Sequence, residues 1–218
     1  MRFRTGAILI GALAALISLY SVLEARLSDF YIFDSPSLHA LAREAITNHG
    51  NDTAAMVRYI VDDLSQKHPK NINLEEEWVF NNAGGAMGAM YILHASVTEY
   101  VIIFGTAVGT EGHSGRHPVD NFFHILTGTQ TAYTPGPGSF LPEVYPPGSM
   151  HYMPRGTVQQ YKMDSTCFAL EYSRGWIPPM LFFGLADMVT STLDFQNIWR
   201  TGLITAREMG RNLGAGKF

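Results

Sequence analysis

The sequence predicts a mainly β domain, a small β-barrel or sandwich, with helical segments on both sides and an apolar helix at the N-terminus. Three observations predict this class. Between residues 76 and 176 the hydrophobic pattern has a period of two, interrupted by glycine and proline, which is typical of short antiparallel strands. On either side of this region the period is that of a helix. Residues 6–23 form a run of eighteen residues without a charge.

The uncharged N-terminal run reaches the lower limit for crossing a hydrocarbon core, since a helix rises about 1.5 Å per residue. A cleaved signal peptide is the alternative. The run exceeds the apolar core of a usual signal peptide, and no small-x-small cleavage site follows Leu23. The pattern therefore favours a retained membrane anchor over residues 1–30. Arg2 and Arg4 would keep the N-terminus cytoplasmic and place the remaining domain on the lumenal side.

Composition limits the function classes. The net charge of −4 over 218 residues gives no electrostatic basis for binding nucleic acid. The single cysteine, Cys167, excludes an internal disulfide and a metal site built from several cysteines. The eight histidines include no His-x-His pair and no His-Glu-x-x-His run, so their spacing does not favour a metal centre. The run 113–116 (HSGR) lacks the second glycine of a Gly-x-Ser-x-Gly elbow, which argues against a serine nucleophile.

Residues 31–75 are predicted to form a helical segment that packs on the β domain. Ser35 or Ser37 can cap a first helix, and Asn51 or Asp52 can cap a second.

The β domain is expected over residues 76–176, as a small barrel or sandwich. The candidate strands are 89–96, 99–107, 121–129, 150–154, 158–163 and 167–173. The strand at 99–107 has two apolar faces, and its pattern leaves open whether the face with Tyr100, Ile102 and Phe104 points inward. The segment 134–148 is rich in proline and glycine and is expected to be a loop over the barrel mouth, with disorder as the alternative.

Residues 177–218 return to the helical period and predict two C-terminal amphipathic helices. Such helices can roof the barrel as ordinary core. Their aromatic content and the scarcity of charge before Asp187 also suit a surface that lies in a membrane interface, and the two interpretations can hold for different faces.

Glu171 is the most informative polar residue of the candidate strands. Alternation places it on the same face as Cys167 and Ala169, with Phe168 and Leu170 on the other. Small neighbours leave room beside the carboxyl group, which a ligand cavity inside a barrel requires. A glutamate that faces solvent on an edge strand is the alternative that the pattern leaves open.

Several runs resemble the family that unites the fungal sterol C8 isomerases and the sigma-1 receptor. In collinear order over most of the chain they are 77–85 (EWVFNNAGG), 87–90 (MGAM), 93–96 (LHAS), 99–100 (EY), 104–107 (FGTA), 112–116 (GHSGR), 171–178 (EY-x-RG-x-IP) and 185–187 (LAD). The segment 122–130 resembles the fungal isomerase branch more than the receptor branch.

The resemblance implies a protein of the endoplasmic reticulum membrane with one N-terminal transmembrane helix and, over residues 76–176, a ligand domain of cupin-like β-barrel fold. It implies a barrel that holds its ligand without a metal or other cofactor, two C-terminal membrane-associated helices and a homotrimer. The implied ligands are a sterol substrate and lipophilic cationic amines that act as inhibitors.

The resemblance also implies site residues. The carboxylate that binds amines in the family falls on Glu171, which we expect to be catalytic. The other implied pocket positions are Met90, Tyr100, Ile102, Phe104, His151, Leu181 and Gly184, of which His151 requires a two-residue insertion before Glu171.

One departure from the receptor branch concerns the partner of Glu171. The receptor branch has an aspartate bonded to this glutamate, and its place here falls on Phe123. Asp120 is the nearest acid and is the second expected catalytic residue, although alternation puts it on the opposite face from Phe123.

The expected reaction is the shift of a sterol double bond from the 8 to the 7 position. A protonated Glu171 would donate to carbon 9, and Asp120, His151 or Glu171 itself would remove the proton from carbon 7. The alternatives are a receptor-like binding protein for amines or sterols, which lacks turnover, and a lipid-binding scaffold, which needs no carboxylate.

Overall fold

The structure is a computed structural model that describes residues 2–218 and divides them into two compact units, Met1–Ile32 and Phe33–Phe218. The first unit contains helix α1 (Arg2–Ala25) and a 3-10 turn (Leu27–Phe30). The segment Ile8–Ala25 of α1 is long and apolar enough to cross a membrane, a test that signal sequences also pass. The side chains of Arg2 and Arg4, on which the expected orientation depends, lie outside the described part.

The second unit begins with two amphipathic helices, α2 (Ser35–His49) and α3 (Thr53–Lys67). The cap of α2 is Asp34, whose carboxylate accepts a hydrogen bond from the Ser37 amide at 2.9 Å, so the expected serine cap is wrong. Asp52 caps α3 by accepting a hydrogen bond from the Ala55 amide at 2.9 Å, which confirms one of the two predicted caps.

Ten strands form the mainly β domain. Their bounds are β1 Trp78–Ala83, β2 Ala86–Ala95, β3 Glu99–Thr106, β4 Thr110–His113, β5 Val119–Thr127, β6 Gln130–Tyr133, β7 Glu143–Tyr145, β8 Met150–Met153, β9 Gln160–Met163 and β10 Cys167–Gly175. They make a six-stranded sheet in the order β1-β2-β3-β10-β5-β8 and a four-stranded sheet in the order β4-β9-β6-β7. All the strand pairs are antiparallel.

Four of these strands escape the sequence pattern. β1 contains two asparagines at a sheet edge, and β4, β6 and β7 are only three or four residues long. Asparagine is depleted in strands, and runs this short carry little alternation, although the equally short β8 and β9 do coincide with predicted strands. The expectation of a loop over 134–148 is wrong in part because β7 lies within this segment.

Both faces of the six-stranded sheet are buried at its centre, whereas side chains of the edge strands β1 and β8 are partly exposed. All eight residues of β3 are buried, and α2 and α3 pack against β5 on the outer face. The opposite face, which carries Tyr100, Ile102 and Phe104, belongs to the main hydrophobic core. Each apolar face of β3 is therefore core, which explains why its pattern did not distinguish them.

The C-terminal region contains α4 (Ile177–Asp187), a π-helical turn (Met188–Thr192) and α5 (Phe195–Gly214). Helix α4 starts before its two prolines because proline is tolerated in the first helical turn. Asp194 caps α5 and accepts from the Asn197 amide at 3.1 Å. Both helices contact β1, and α5 also contacts β2.

A buried ion pair fastens the C-terminus to the outer face of β3. Lys217 Nζ lies 3.0 Å from Glu99 Oε2, and the two side chains are 5% and 0% exposed. Glu99 Oε1 also accepts hydrogen bonds from the Tyr172 hydroxyl at 2.7 Å and the Phe33 amide at 3.1 Å. These contacts satisfy a charge that lies in the interior of the domain.

We expect Lys217→Met to destabilise the protein strongly. Removing one partner of a buried pair leaves an uncompensated charge, which costs about 3–5 kcal/mol. Urea unfolding of the detergent-solubilised full chain measures the change. Lys67→Met is the matched control, since Lys67 pairs with Asp63 at the surface and such pairs contribute about 0–1 kcal/mol. Equal losses in both variants would contradict a special role for the Glu99 pair.

Candidate active site

A cavity of about 390 Å³ lies between the inner faces of the two sheets and helices α4 and α5. Its volume falls within the range of about 300–1,000 Å³ that is usual for small-molecule sites. The walls are mostly apolar. Strands of the larger sheet contribute Met90, Ile102 and Phe104, and α4 contributes Leu181 and Gly184.

The strands β3, β10 and β5 are neighbours, and residues that are opposite one another on them form rows across the cavity wall. Strand β10 lies between β3 and β5, and Glu171 is directly opposite Ile102 on one side and Phe123 on the other. Residues two positions apart along a strand share a face. The adjacent row therefore consists of Tyr100, Ser173 and Asn121, all of which line the cavity.

Glu171 lies on the cavity wall in the middle of β10. The alternative of a solvent-facing glutamate on an edge strand is wrong because β10 is a central strand. Its same-face neighbours Cys167 and Ala169 are fully buried and small, as the alternation predicts. Among the described residues that line the cavity, Glu171 is the one acid.

The Glu171 carboxyl group makes no hydrogen bond or ion pair with any described residue. Burial raises its pKa from the ordinary 4.5 to about 8, because the ionised form loses water and gains no compensating donor or positive charge. Glu171 is partly exposed. Since it lines the cavity, an apolar ligand that fills the cavity would remove its remaining water and favour the protonated form further. The protein thus holds a neutral carboxylic acid near neutral pH.

Tyrosine and phenylalanine rings surround the row of Glu171. The Tyr161 ring lies on the cavity wall in β9, and its centroid is 6.3 Å from that of Phe123. Burial raises the pKa of Tyr161, and the nearby Glu171 carboxylate raises it further. Tyr161 therefore stays neutral and adds no negative charge beside Glu171.

The structure does not bring Asp120 and Glu171 together, a pairing that the sequence left open. Asp120 does not line the cavity, and its Oδ2 lies 3.5 Å from Arg174 Nε. Its Oδ1 accepts hydrogen bonds from the Tyr152 hydroxyl at 3.2 Å and the Arg155 amide at 3.1 Å. The physical reason is the odd offset of three residues from Phe123, which turns Asp120 to the outer face of the sheet.

Six of the seven implied pocket positions line the cavity, namely Met90, Tyr100, Ile102, Phe104, Leu181 and Gly184. His151 is outside this set. Its ring stacks on Phe123 with centroids 5.2 Å apart, and its nitrogens bond to Gln130 at 3.1 Å and Gln159 at 2.8 Å. His151 therefore supports the ring opposite Glu171 and does not contact the cavity.

The sequence pattern missed several cavity residues, including Asn121, Tyr161, Ser173 and Thr201. Ser173 could have been found from its two-residue offset to Glu171. Asn121 could have been found only with the register between β5 and β10, and Thr201 only with the docking of α5. Within the described residues no group of three or more histidine, cysteine or acidic side chains is arranged to hold a metal ion.

Solved structures that resemble the chain are partial matches. They include the cupin domain of Cnp3 from Schizosaccharomyces pombe, which is 14% identical, covers 41% of this chain and 61% of that chain, and has a TM-score of 0.35. An RmlC-like cupin from Shewanella frigidimarina is 15% identical, covers 48% and 89%, and has a TM-score of 0.38. Likenesses of this size do not bear on the function.

Relatives in sequence are much closer. The chain is 66% identical to the C-8 sterol isomerase of Neurospora crassa, over 90% of this chain and 77% of the relative. It is 63% identical to the C-8 sterol isomerase of Aspergillus fumigatus, over 94% and 85%. It is 40% identical to the sigma non-opioid intracellular receptor 1 of Xenopus tropicalis, over 80% and 77%.

The family model described as ERG2 and Sigma1 receptor like protein matches residues 10–217, almost the whole chain. Together with these identities, the match shows that the chain belongs to the family of the C-8 sterol isomerases and the sigma-1 receptors.

Proposed function

We propose that this protein is a C-8 sterol isomerase that moves a ring double bond from the 8 to the 7 position, with Glu171 as its acid. The observation that carries the proposal is the single carboxyl group on a mostly apolar cavity wall, where burial raises its pKa to about 8. The chain is more than 60% identical to proteins named for this activity, which supports the same chemistry here.

The reaction requires an acid that is protonated at neutral pH, because an alkene is a very weak base. Glu171 donates its proton to carbon 9, the π electrons of the 8,9 double bond form the new carbon–hydrogen bond, and carbons 8 and 9 stay joined by a single bond with a cation at carbon 8. Loss of a proton from carbon 7 then forms the 7,8 double bond. Protons and electrons balance without an oxidant or a reductant, so the chemistry needs no electron carrier.

The cavity favours the cationic intermediate. Once Glu171 has given up its proton, its carboxylate faces the cation in a poorly solvated site, where charge attraction is strong. The rings of Tyr100, Phe104 and Phe123 line the same cavity. Each ring face that meets the cation contributes about 0.5–2 kcal/mol of cation–π attraction.

We assign removal of the carbon 7 proton to Glu171 as well. Of the three expected bases, Asp120 and His151 do not line the cavity, and Glu171 does. Carbons 7 and 9 are both bonded to carbon 8, so one carboxylate can reach both from the same face of the ring. The proton that leaves carbon 7 then restores the acid form of Glu171 for the next turnover.

The attraction between the Glu171 carboxylate and a cation also indicates which molecules should inhibit the enzyme. A lipophilic amine carries a fixed positive charge where the intermediate has a transient one, and it binds by pairing with the ionised Glu171. A receptor-like binding protein is the second candidate function, favoured by the 40% identity to a sigma receptor. It would keep amine binding at Glu171 and lack turnover of a delta-8 sterol.

The wider setting is also part of the proposal. The two sheets would form a cupin-like barrel, and α1 would anchor the chain in the endoplasmic reticulum membrane with the main domain in the lumen. Family resemblance supports this location and a homotrimer. Exposed apolar side chains on α4 and α5 support contact with the membrane; they include Phe182, Phe195, Trp199 and Leu203.

We expect Glu171→Gln to abolish isomerisation of a delta-8 sterol, with a loss of about 10²–10⁴-fold, the usual contribution of a general acid. The amide keeps the shape of the side chain and cannot donate a proton to an alkene. Product analysis of the purified full chain measures the delta-7 sterol. Asp120→Asn is the control and should retain most activity, because Asp120 does not line the cavity and pairs with Arg174. Normal turnover by Glu171→Gln would refute the mechanism.

The pH profile should follow the acid form of Glu171. Because its pKa is raised to about 8, the group is protonated below that pH, and kcat/KM should be level there. Above it, kcat/KM should fall about tenfold per pH unit as the acid form disappears. Initial rates between pH 5 and 10 measure this. A profile that rises with pH through 8 would show that the ionised form is the active one.

Trp199 tests the membrane contact of α5. This side chain is 68% exposed, so a helix that lies in the interface places it among lipid chains. A variant with Trp78→Phe and Trp176→Phe keeps Trp199 as the single tryptophan. Its fluorescence in proteoliposomes should be quenched by lipids brominated on the acyl chains. A variant that keeps Trp78 instead provides the control, and equal quenching of the two would contradict the assignment.

A further inference from the structure

We propose that Asn121 and Ser173 form the subsite that binds the 3-hydroxyl group of the sterol and thereby sets which ring carbons face Glu171. This inference rests on the proposed function, because it assumes a sterol in the cavity. It assigns positioning residues to a part of the cavity wall that the chemistry at Glu171 does not use.

The two side chains are a buried polar pair on the wall of the cavity. Ser173 Oγ donates a hydrogen bond to Asn121 Oδ1 at 2.6 Å. Asn121 is 7% exposed and Ser173 is 9% exposed, and both line the cavity. The Asn121 Nδ2 amide group is buried and has no hydrogen-bond partner among the described residues. The pair therefore has unused hydrogen-bonding capacity in an apolar environment.

This unused capacity matches an alcohol. Ser173 Oγ has spent its hydrogen on Asn121 and keeps a lone pair, so it can accept a hydrogen bond. Asn121 Nδ2 keeps its N–H groups and can donate. A hydroxyl group donates one hydrogen bond and accepts another, so it can pair with both. Buried polar groups that lack partners are unfavourable, and a bound hydroxyl group would remove that deficit.

The position of the pair fits the length of a sterol. Asn121 and Ser173 occupy the row next to Glu171, and two residues along a strand span about 6.8 Å. The hydroxyl carbon of a sterol is separated from carbons 8 and 9 by about one ring. On the other side of Glu171 the wall is apolar, with Phe104 and Met90 paired across β2 and β3. The hydroxyl group of the sterol would therefore lie at the polar row of Asn121 and Ser173. Its reacting carbons would lie at Glu171, and its hydrocarbon tail at the apolar row beyond.

Other polar groups in the cavity are weaker matches. The Tyr100 hydroxyl bonds to Thr205 at 3.3 Å, and His117 Nε2 bonds to the Ser114 carbonyl at 2.7 Å. Thr201 Oγ1 and His117 Nδ1 also lack partners, but each is a single group outside the β10 and β5 wall. Asn121 and Ser173 combine a donor and an acceptor beside Glu171, which favours them. Variants of Thr201 and His117 are therefore included in the test for comparison.

The test compares two ligands in several variants of the full chain. The ligands are a delta-8 sterol with a free 3-hydroxyl group and the corresponding 3-deoxy compound. Equilibrium binding and isomerisation are both measured for the parent, Asn121→Leu, Ser173→Ala, Thr201→Val and His117→Phe. Ser173→Ala is the milder of the two subsite variants and covers the case in which Asn121→Leu does not fold.

We expect the parent to bind the hydroxylated sterol at least about tenfold more tightly than the 3-deoxy compound. Asn121→Leu and Ser173→Ala should reduce this preference to below about threefold by weakening only the hydroxylated ligand. With the preference lost, kcat should fall as well, because the ring is no longer held in register with Glu171. Thr201→Val and His117→Phe should keep the parent's preference.

Three outcomes would overturn the subsite. They are a parent that binds both ligands equally, subsite variants that weaken both ligands equally, and a preference that disappears in Thr201→Val or His117→Phe. Failure of the proposed function looks different. If the parent shows a preference that depends on Asn121 and isomerises neither ligand, the subsite stands and the isomerase assignment fails.

Discussion

The central constraint of the structure is a carboxylic acid without a partner on a mostly apolar cavity wall. Glu171 is placed in the central strand of the larger sheet, opposite Ile102 and Phe123, where no described group can stabilise its ionised form. Such a placement is unfavourable for an ionised carboxylate and acceptable for a neutral one. The cavity therefore selects the protonated acid, which is the form that an alkene substrate requires.

The two faces of the same sheet each carry a glutamate, and the two glutamates differ in their partners. On the outer face, Glu99 is fully buried, pairs with Lys217 and accepts hydrogen bonds from Tyr172 and Phe33. On the inner face, Glu171 has none of these. Glu99 has a structural role, because it binds the C-terminal segment to the sheet. For Glu171, a partner can come only from the ligand. A cationic intermediate or a protonated amine can provide that missing charge.

The parts of the site that depend only on alternation along one strand could be predicted from the sequence. Alternation within β10 put Glu171 beside small residues, and alternation within β5 turned Asp120 away from Phe123. The remainder depends on contacts between distant segments. Arg174 and Tyr152 determine what Asp120 binds, and β4, β6 and β7 are stabilised as strands mainly by pairing within the smaller sheet. The pairing of Asn121 with Ser173 required the register of two strands, which no single run of residues contains.

The protonation state of Glu171 is the most direct test of this interpretation. Carbon-13 NMR of the full chain labelled at glutamate side-chain carboxyls can follow each group through a pH titration, and Glu171→Gln identifies the resonance by its loss. We predict a carboxyl signal that titrates near pH 8 and moves higher when an uncharged sterol fills the cavity. A Glu171 resonance that titrates near the ordinary value of 4.5 would contradict the central claim.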